Sequence, residues 1–281
     1  MSSPLITAVR QVLQPTGEKS LSVVDQVELT EKPGGPGSME SERLSEARRK
    51  LVVKDTSVMT KPQLITEGSV AVSEMMQALK ADKKIVTCQD IDEMALALSK
   101  DESTSVEAAK AKLLQNQARA FTAETDGVIY FLECPERPHD EIHETVHVTS
   151  APGGTTKIKT EFGDPLNEGF TEMYTKDICL KLKVKIAPAY PNEVAFMLKL
   201  QRAVGHGLLF DAYMKNAGMD KIISALADRW AQRSEGFGSD EATRDFVAPG
   251  DAQQWAVALA DRLKNGNFIG TAAPFWSALL Q

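Results

Sequence analysis

Apolar residues recur at three- and four-residue intervals over much of this chain, the period that lays one face of an α-helix against a core. Val70, Val72, Met75, Met76 and Leu79 trace one such face, Ile91, Met94, Leu96 and Leu98 a second, and Val106, Ala109, Leu113 and Leu114 a third. Twice the pattern changes. Residues 83–88 read as a short strand, and 127–134, ending before Pro135, as a stronger one, because β-branched and aromatic side chains suit a pleated surface. Helical spacing resumes from about residue 137 and, after a break at 187–191, continues over 193–204, 207–216, 221–233 and 252–264, with turns at 236–239 and 248–250. The Met75 and Met76 pair is read as gap-filling core, which unbranched thioethers suit, rather than as a soft-metal site.

These elements predict an α+β fold that is mostly helical with a small sheet. Residues 1–60 mix Ser, Pro, Gly and charges around KPGGPGS at 32–38, which holds neither helix nor strand, so a flexible tail or linker is expected there. Within it, 41–54 is expected to form at most a short polar helix with a solvated face and no chemistry. Residues 61–120 form a helical segment, and 121–281 the remaining domain. The apolar end, 268–280 with Trp276, is expected to dock on the core or to meet a protein partner, as is the tail.

Composition narrows the function. A chain of 281 residues, 42% hydrophobic, can bury a full core. With 32 basic against 39 acidic residues the net charge is −7, so no basic footprint for nucleic acid is expected. Cys88, Cys134 and Cys179 cannot all pair and show no CxxC spacing, which argues against a disulfide framework and a thiolate zinc site and favours a reducing compartment. No stretch approaches the length of a membrane span, and residues 1–13 lack a basic start followed by a sustained apolar run. The expected location is the cytoplasm, or export by a leaderless specialised route, as for a toxin or effector.

The candidate chemistry lies in His143-Glu144-Thr145-Val146-His147 and in Asn167-Glu168-Gly169-Phe170-Thr171-Glu172. On a helix, His143 and His147 are one turn apart on one face, where both imidazoles can hold a single Zn²⁺, and Glu144 faces the same cleft as a base for a metal-activated water. A catalytic zinc uses three protein ligands and keeps a fourth position open. Glu168 is the expected third ligand. Between it and His147 there is room for the helix to end at 150–154 and for a second helix to open after Gly163, Asp164 and Pro165. Glu172, one turn beyond Glu168, can turn to a ligating histidine and fix its ring. His139 precedes the motif by one turn, but a fourth protein ligand would close the site, so it is expected to be solvent-facing or a neighbour at the helix start.

At these residues the chain resembles the gluzincins, the thermolysin-like branch of the zincin metallopeptidases, and its NEGFTE segment is also similar to zinc aminopeptidases and small bacterial metallopeptidases. The resemblance covers roughly 127–233. It implies a zincin-like domain over 121–281, with His143, His147 and Glu168 on zinc, Glu144 as general base and Glu172 behind a ligand. It also implies a peptide or protein substrate whose extended backbone pairs with a sheet edge beside 127–134. No Gly-x-Met-Glu-Asn segment stands shortly upstream of the motif, and GSMES at 37–41 is too distant, so an endopeptidase is expected rather than an aminopeptidase.

A donor for the developing oxyanion is sought in His206, Tyr190 and Tyr213. His206 lies between glycines and can also be a histidine at a helix junction; Tyr190 can also be a tyrosine satisfied by a backbone carbonyl. Two rival readings remain. One is a non-catalytic zinc-stabilised binding or structural protein, for which a base between the histidines is unnecessary. The other is a latent protease whose zinc is covered by the tail or by Cys134, set against Cys134 as a small hydrophobe at a strand end.

Overall fold

The computed structural model describes residues 42–151, 155–187, 189–231 and 252–264. The run 32–38, the turns expected at 236–239 and 248–250 and the apolar end 268–280 lie outside the described residues. Helices α1 (Glu42–Val52) and α2 (Lys61–Ala81) precede strand β1 (Ile85–Cys88), and α3 (Ile91–Asp101) and α4 (Val106–Gln115) lead to β2 (Ala120–Thr122) and β3 (Ile129–Leu132). Then follow α5 (Arg137–Ser150), α6 (Lys157–Phe162), α7 (Asp164–Leu182), α8 (Pro191–Val204), α9 (His206–Met214), α10 (Asp220–Ala231) and α11 (Ala252–Lys264). Mostly helical with one three-stranded sheet, the described residues include no helix long and apolar enough to cross a membrane.

Local chemistry starts several of these helices. Gln63 accepts from the Thr60 backbone N–H at 2.8 Å ahead of α2, Asp90 accepts from the N–H groups of Asp92 and Glu93 at 2.9 Å each, and Ser105 accepts from Ala108 N–H at 3.1 Å. Each satisfies a donor that the first helical turn leaves free, a cap that contributes about 1 kcal/mol. The buried face of α2 is Leu64, Gly68, Ala71, Val72, Met75 and Leu79. Val70, two residues from Val72, falls on the far side and is 48% exposed, and Leu96 and Leu114 are exposed for the same reason. Met75 is fully buried and Met76 packs at the core margin, in keeping with gap-filling.

The amino-terminal region departs from expectation. Helix α1 buries Leu44, Ala47 and Leu51, and Arg48 donates to the Val148 carbonyl at 2.7 Å, near the last turn of α5, where carbonyls lack intrahelical partners. A helix read as a solvated part of a tail therefore braces the motif helix. Packing does not break at residue 120 either, since Leu64, Ala71 and Val72 of α2 share one core with Ile142, Val146 and Phe170.

Strand order is β1-β3-β2, with β1 parallel to β3 (Ile85 opposite Ile129, Cys88 opposite Leu132) and β2 antiparallel to it (Ala120 opposite Phe131, Thr122 opposite Ile129). Alternation along β3 sends Ile129 and Phe131 into a cluster with Leu44, Met75, Leu79 and Val148, while Tyr130 and Leu132 pack toward Cys88, Met94, Leu98 and Leu113. Strand β3, which falls within 127–134, is central and paired on both sides, so a sheet edge beside it belongs to a neighbouring strand. The strand at the edge beside α5 is β2, too short to stand out in the sequence.

Candidate metal centre

Helix α5 is buried continuously from Ile142 to Ser150, and its faces divide the work. Ile142 and Val146 enter the helical core and Val148 the sheet cluster, leaving His143, Glu144 and His147 for polar company. So much hydroxyl burial is tolerated because each group returns to the preceding turn: Thr145 donates to Glu141 O at 2.6 Å, Thr149 to Thr145 O at 2.7 Å and Ser150 to Val146 O at 2.8 Å.

The chain comes back to this helix through α6, a turn of structure not anticipated from the sequence, and a joint at Gly163. Its φ of +83° suits a residue without a Cβ and lets α7 open directly at Asp164 and Pro165. Thr156 accepts from Lys159 N–H at 3.0 Å to cap α6 and donates to Asn167 Oδ1 at 2.7 Å. Within the second motif, Gly169 permits close packing of α8: a Cβ there would lie 3.0 Å from Glu193 Cβ and 3.2 Å from Met197 Cγ.

These elements bring the expected ligands together. His143 Nε2 stands 3.1 Å from Glu168 Oε2 and His147 Nε2 3.4 Å from Glu168 Oε1, with the two rings edge to face at 5.0 Å. One ligand atom from each of His143, His147 and Glu168 lies within 4.8 Å of the others. The remaining ring nitrogens are held from behind. His143 Nδ1 meets Glu172 Oε2 at 3.1 Å. His147 Nδ1 meets Asn167 Nδ2 at 3.3 Å, Thr171 Oγ1 at 3.2 Å and Tyr213 Oη at 3.2 Å. Both Nε2 atoms thus face Glu168; with Nε2 on a metal each Nδ1 carries the proton, which His143 can donate to Glu172 and His147 to the Thr171 or Tyr213 hydroxyl, whereas the Asn167 amide NH2 only packs against that nitrogen.

Charge in this pocket is tightly coupled. Burial opposes a proton on His143, but hydrogen bonds to Glu168 and Glu172 and the nearby Glu144 carboxylate outweigh it and raise its pKa to about 10. Burial would raise Glu168, yet the His147 and His143 imidazoles hold it well below the usual carboxylate range.

Glu144 accepts a hydrogen bond from Thr122 Oγ1 at 2.7 Å, so the edge strand β2 fixes the candidate base. Tyr190 stacks on His143 (centroids 5.8 Å, planes 17° apart) and its hydroxyl lies beside Glu168. Burial and the Glu168 and Glu144 carboxylates push that phenol well above its ordinary pKa, so it remains a hydrogen-bond donor. Its backbone is left-handed (φ 47°, ψ 50°), a conformation that costs a side-chain-bearing residue roughly 1–3 kcal/mol and is found at functional sites.

Other residues fall differently. Tyr213 is fully buried, shares a hydrogen bond with Thr171 and stacks on Phe170 at 5.3 Å, so it supports His147 from behind. His206 is not brought into this group: the charges that act on it are Lys61 and Asp177. His139 corrects its expectation of solvent, being 2% exposed with Nδ1 3.3 Å from Asp140 and Nε2 3.4 Å from Glu172. Cys134 Sγ lies 3.9 Å from Asp140 Oδ2. Thr122, Thr156 and Thr171 do not stand out in the sequence, where an isolated threonine gives no signal. Compared with protein-family models, curated proteins and solved structures, the chain matches none.

Proposed function

We propose that this chain is a zinc-dependent peptide hydrolase in which His143, His147 and Glu168 hold the metal and Glu144 is the general base. The observation that carries the reading is the convergence of His143 Nε2 and His147 Nε2 on Glu168 with both Nδ1 atoms engaged from behind. Two imidazole nitrogens and one carboxylate form a zinc donor set that keeps the fourth position open to water. When bound, zinc would acidify that water and polarise the substrate carbonyl.

The chain's own residues supply the remaining chemistry. Glu144 takes the proton of the attacking water as the new C–O bond forms, and passes it to the amide nitrogen as the C–N bond breaks. Thr122, donating to Glu144 Oε2, leaves Oε1 for that exchange. Tyr190, protonated and beside Glu168, is the donor best placed for the developing oxyanion. A base fixed in this way has no use in a purely structural zinc site, which favours the enzyme. The β2 edge beside α5 is suited to an extended peptide, and with no amino-terminus-reading segment in the sequence the preferred activity is endopeptidase.

The test is a complex peptide library incubated with zinc-loaded protein, its chelated form and Glu144→Gln, with products read by mass spectrometry. Internal cuts confined to the zinc-loaded parent are expected. Stepwise loss of terminal residues would replace endopeptidase by exopeptidase, and cuts of equal rate in Glu144→Gln would remove Glu144 as the base.

A further inference from the structure

We propose that His139 is a positioning residue of this metal centre, holding the second oxygen of the Glu172 carboxylate so that a series running inward from the half-exposed Arg119 through Asp140 and the buried His139 to the buried Glu172 fixes the ring of His143. The inference rests on the metal-centre reading above, but it concerns a residue that the two ligand motifs do not include.

The need arises at Glu172. Its side chain is fully buried, and a buried carboxylate requires partners for both oxygens, since an unmet one carries the whole desolvation cost. Oε2 is met by His143 Nδ1 at 3.1 Å. Oε1 has no hydrogen bond of good geometry; its polar neighbours are His139 Nε2 and Lys176 Nζ, each at 3.4 Å. His139 Nε2 is likewise buried and has no better partner than this oxygen. The two atoms stand 3.4 Å apart, and a modest reorientation of either side chain makes the contact a full hydrogen bond.

Lys176 is a poor substitute. Its ammonium also donates to the Ala189 carbonyl at 3.3 Å, and a point charge on a four-carbon stem fixes the direction of a carboxylate less well than a ring does. His139 cannot swing, because its other nitrogen stands 3.3 Å from Asp140 Oδ1, and Asp140 takes two bonds from the Arg119 guanidinium, at 2.9 and 3.0 Å. A paired fork of this kind fixes direction as well as charge. The order imposed by Arg119, next to strand β2, therefore passes through Asp140 and His139 at the start of α5 to Glu172 on α7 and returns to His143, one turn along from His139.

The test uses the full chain with two amide replacements of the imidazole. In His139→Gln the side-chain amide reaches as far as Nε2 does and can still donate to Glu172; in His139→Asn it reaches only as far as Nδ1. Zinc affinity is measured by competition with a chromophoric chelator, and geometry at the metal by the visible absorption of the cobalt-substituted protein. His139→Gln is expected to stay within about threefold of the parent, whereas His139→Asn should bind zinc roughly 10- to 100-fold more weakly, the size of loss found when an outer partner of a ligating histidine goes. The cobalt spectrum should shift in His139→Asn alone of these two.

Arg119→Gln acts at the outer end of the series without disturbing the core, and is expected to weaken zinc by about threefold with a smaller spectral shift of the same kind. Parent-like affinity and spectrum in both His139→Asn and Arg119→Gln would overturn the proposal, as would equal losses in His139→Gln and His139→Asn, which would reduce His139 to a packing residue. A parent that binds no zinc would instead overturn the metal centre itself.

Discussion

The two histidines of the motif sit in opposite surroundings. Behind His143 stands a file of ionisable groups, Glu172, His139, Asp140 and Arg119; behind His147 stand neutral groups, Asn167, Thr171 and Tyr213, with Thr156 orienting Asn167. Both arrangements aim Nε2 at Glu168, but by different means. A carboxylate behind an imidazole forms a charge-assisted bond and makes the ring a stronger donor to metal, while hydroxyls accept from the ring and fix it without adding charge. The contrast has an electrostatic reason. Glu144, Glu168 and Glu172 already crowd one pocket, and a further carboxylate behind His147 would repel all three in a medium of low dielectric.

Removing the charge behind His143 should therefore cost more than removing any one neutral group behind His147. Glu172→Gln keeps the shape and one acceptor but loses the charge and the pairing with His139, and zinc affinity should fall roughly 10- to 100-fold in a chelator competition. Unchanged affinity would leave Glu172 without a role in orienting His143. Tyr213→Phe removes one of the two hydroxyls that can accept from His147 Nδ1 and keeps the stacking on Phe170, so affinity should fall by only about two- to fivefold in the same titration. A loss as large as that of Glu172→Gln would show that the neutral side is held by the tyrosine alone.

The same contrast explains what can be read in the sequence. His143, His147, Glu168 and Glu172 are legible because they lie at i, i+4 spacing on two helices, and helical geometry alone decides what shares a face. Tyr190 can be named but not placed, since its position over His143 depends on a left-handed backbone and on the close packing of α8 that Gly169 permits. The neutral support of His147 is hidden: Asn167 and Thr171 share a helix with Glu168, but Tyr213 comes from α9 and Thr156 from the start of α6, and only tertiary packing gathers them behind one nitrogen. Helix α1 is misjudged because abundant charge masks the short stripe Leu44, Ala47 and Leu51, and β2 because three residues cannot establish a period.

Zinc content per chain bears most directly on the metal centre from which all of this follows. Elemental analysis of zinc-saturated, desalted protein should give about one zinc per chain for the parent and for Glu144→Gln, and none for His143→Ala combined with His147→Ala, because two of three ligands are then gone. Zinc retained by the double variant, or missing from the parent, would contradict the assignment of His143, His147 and Glu168 as its ligands.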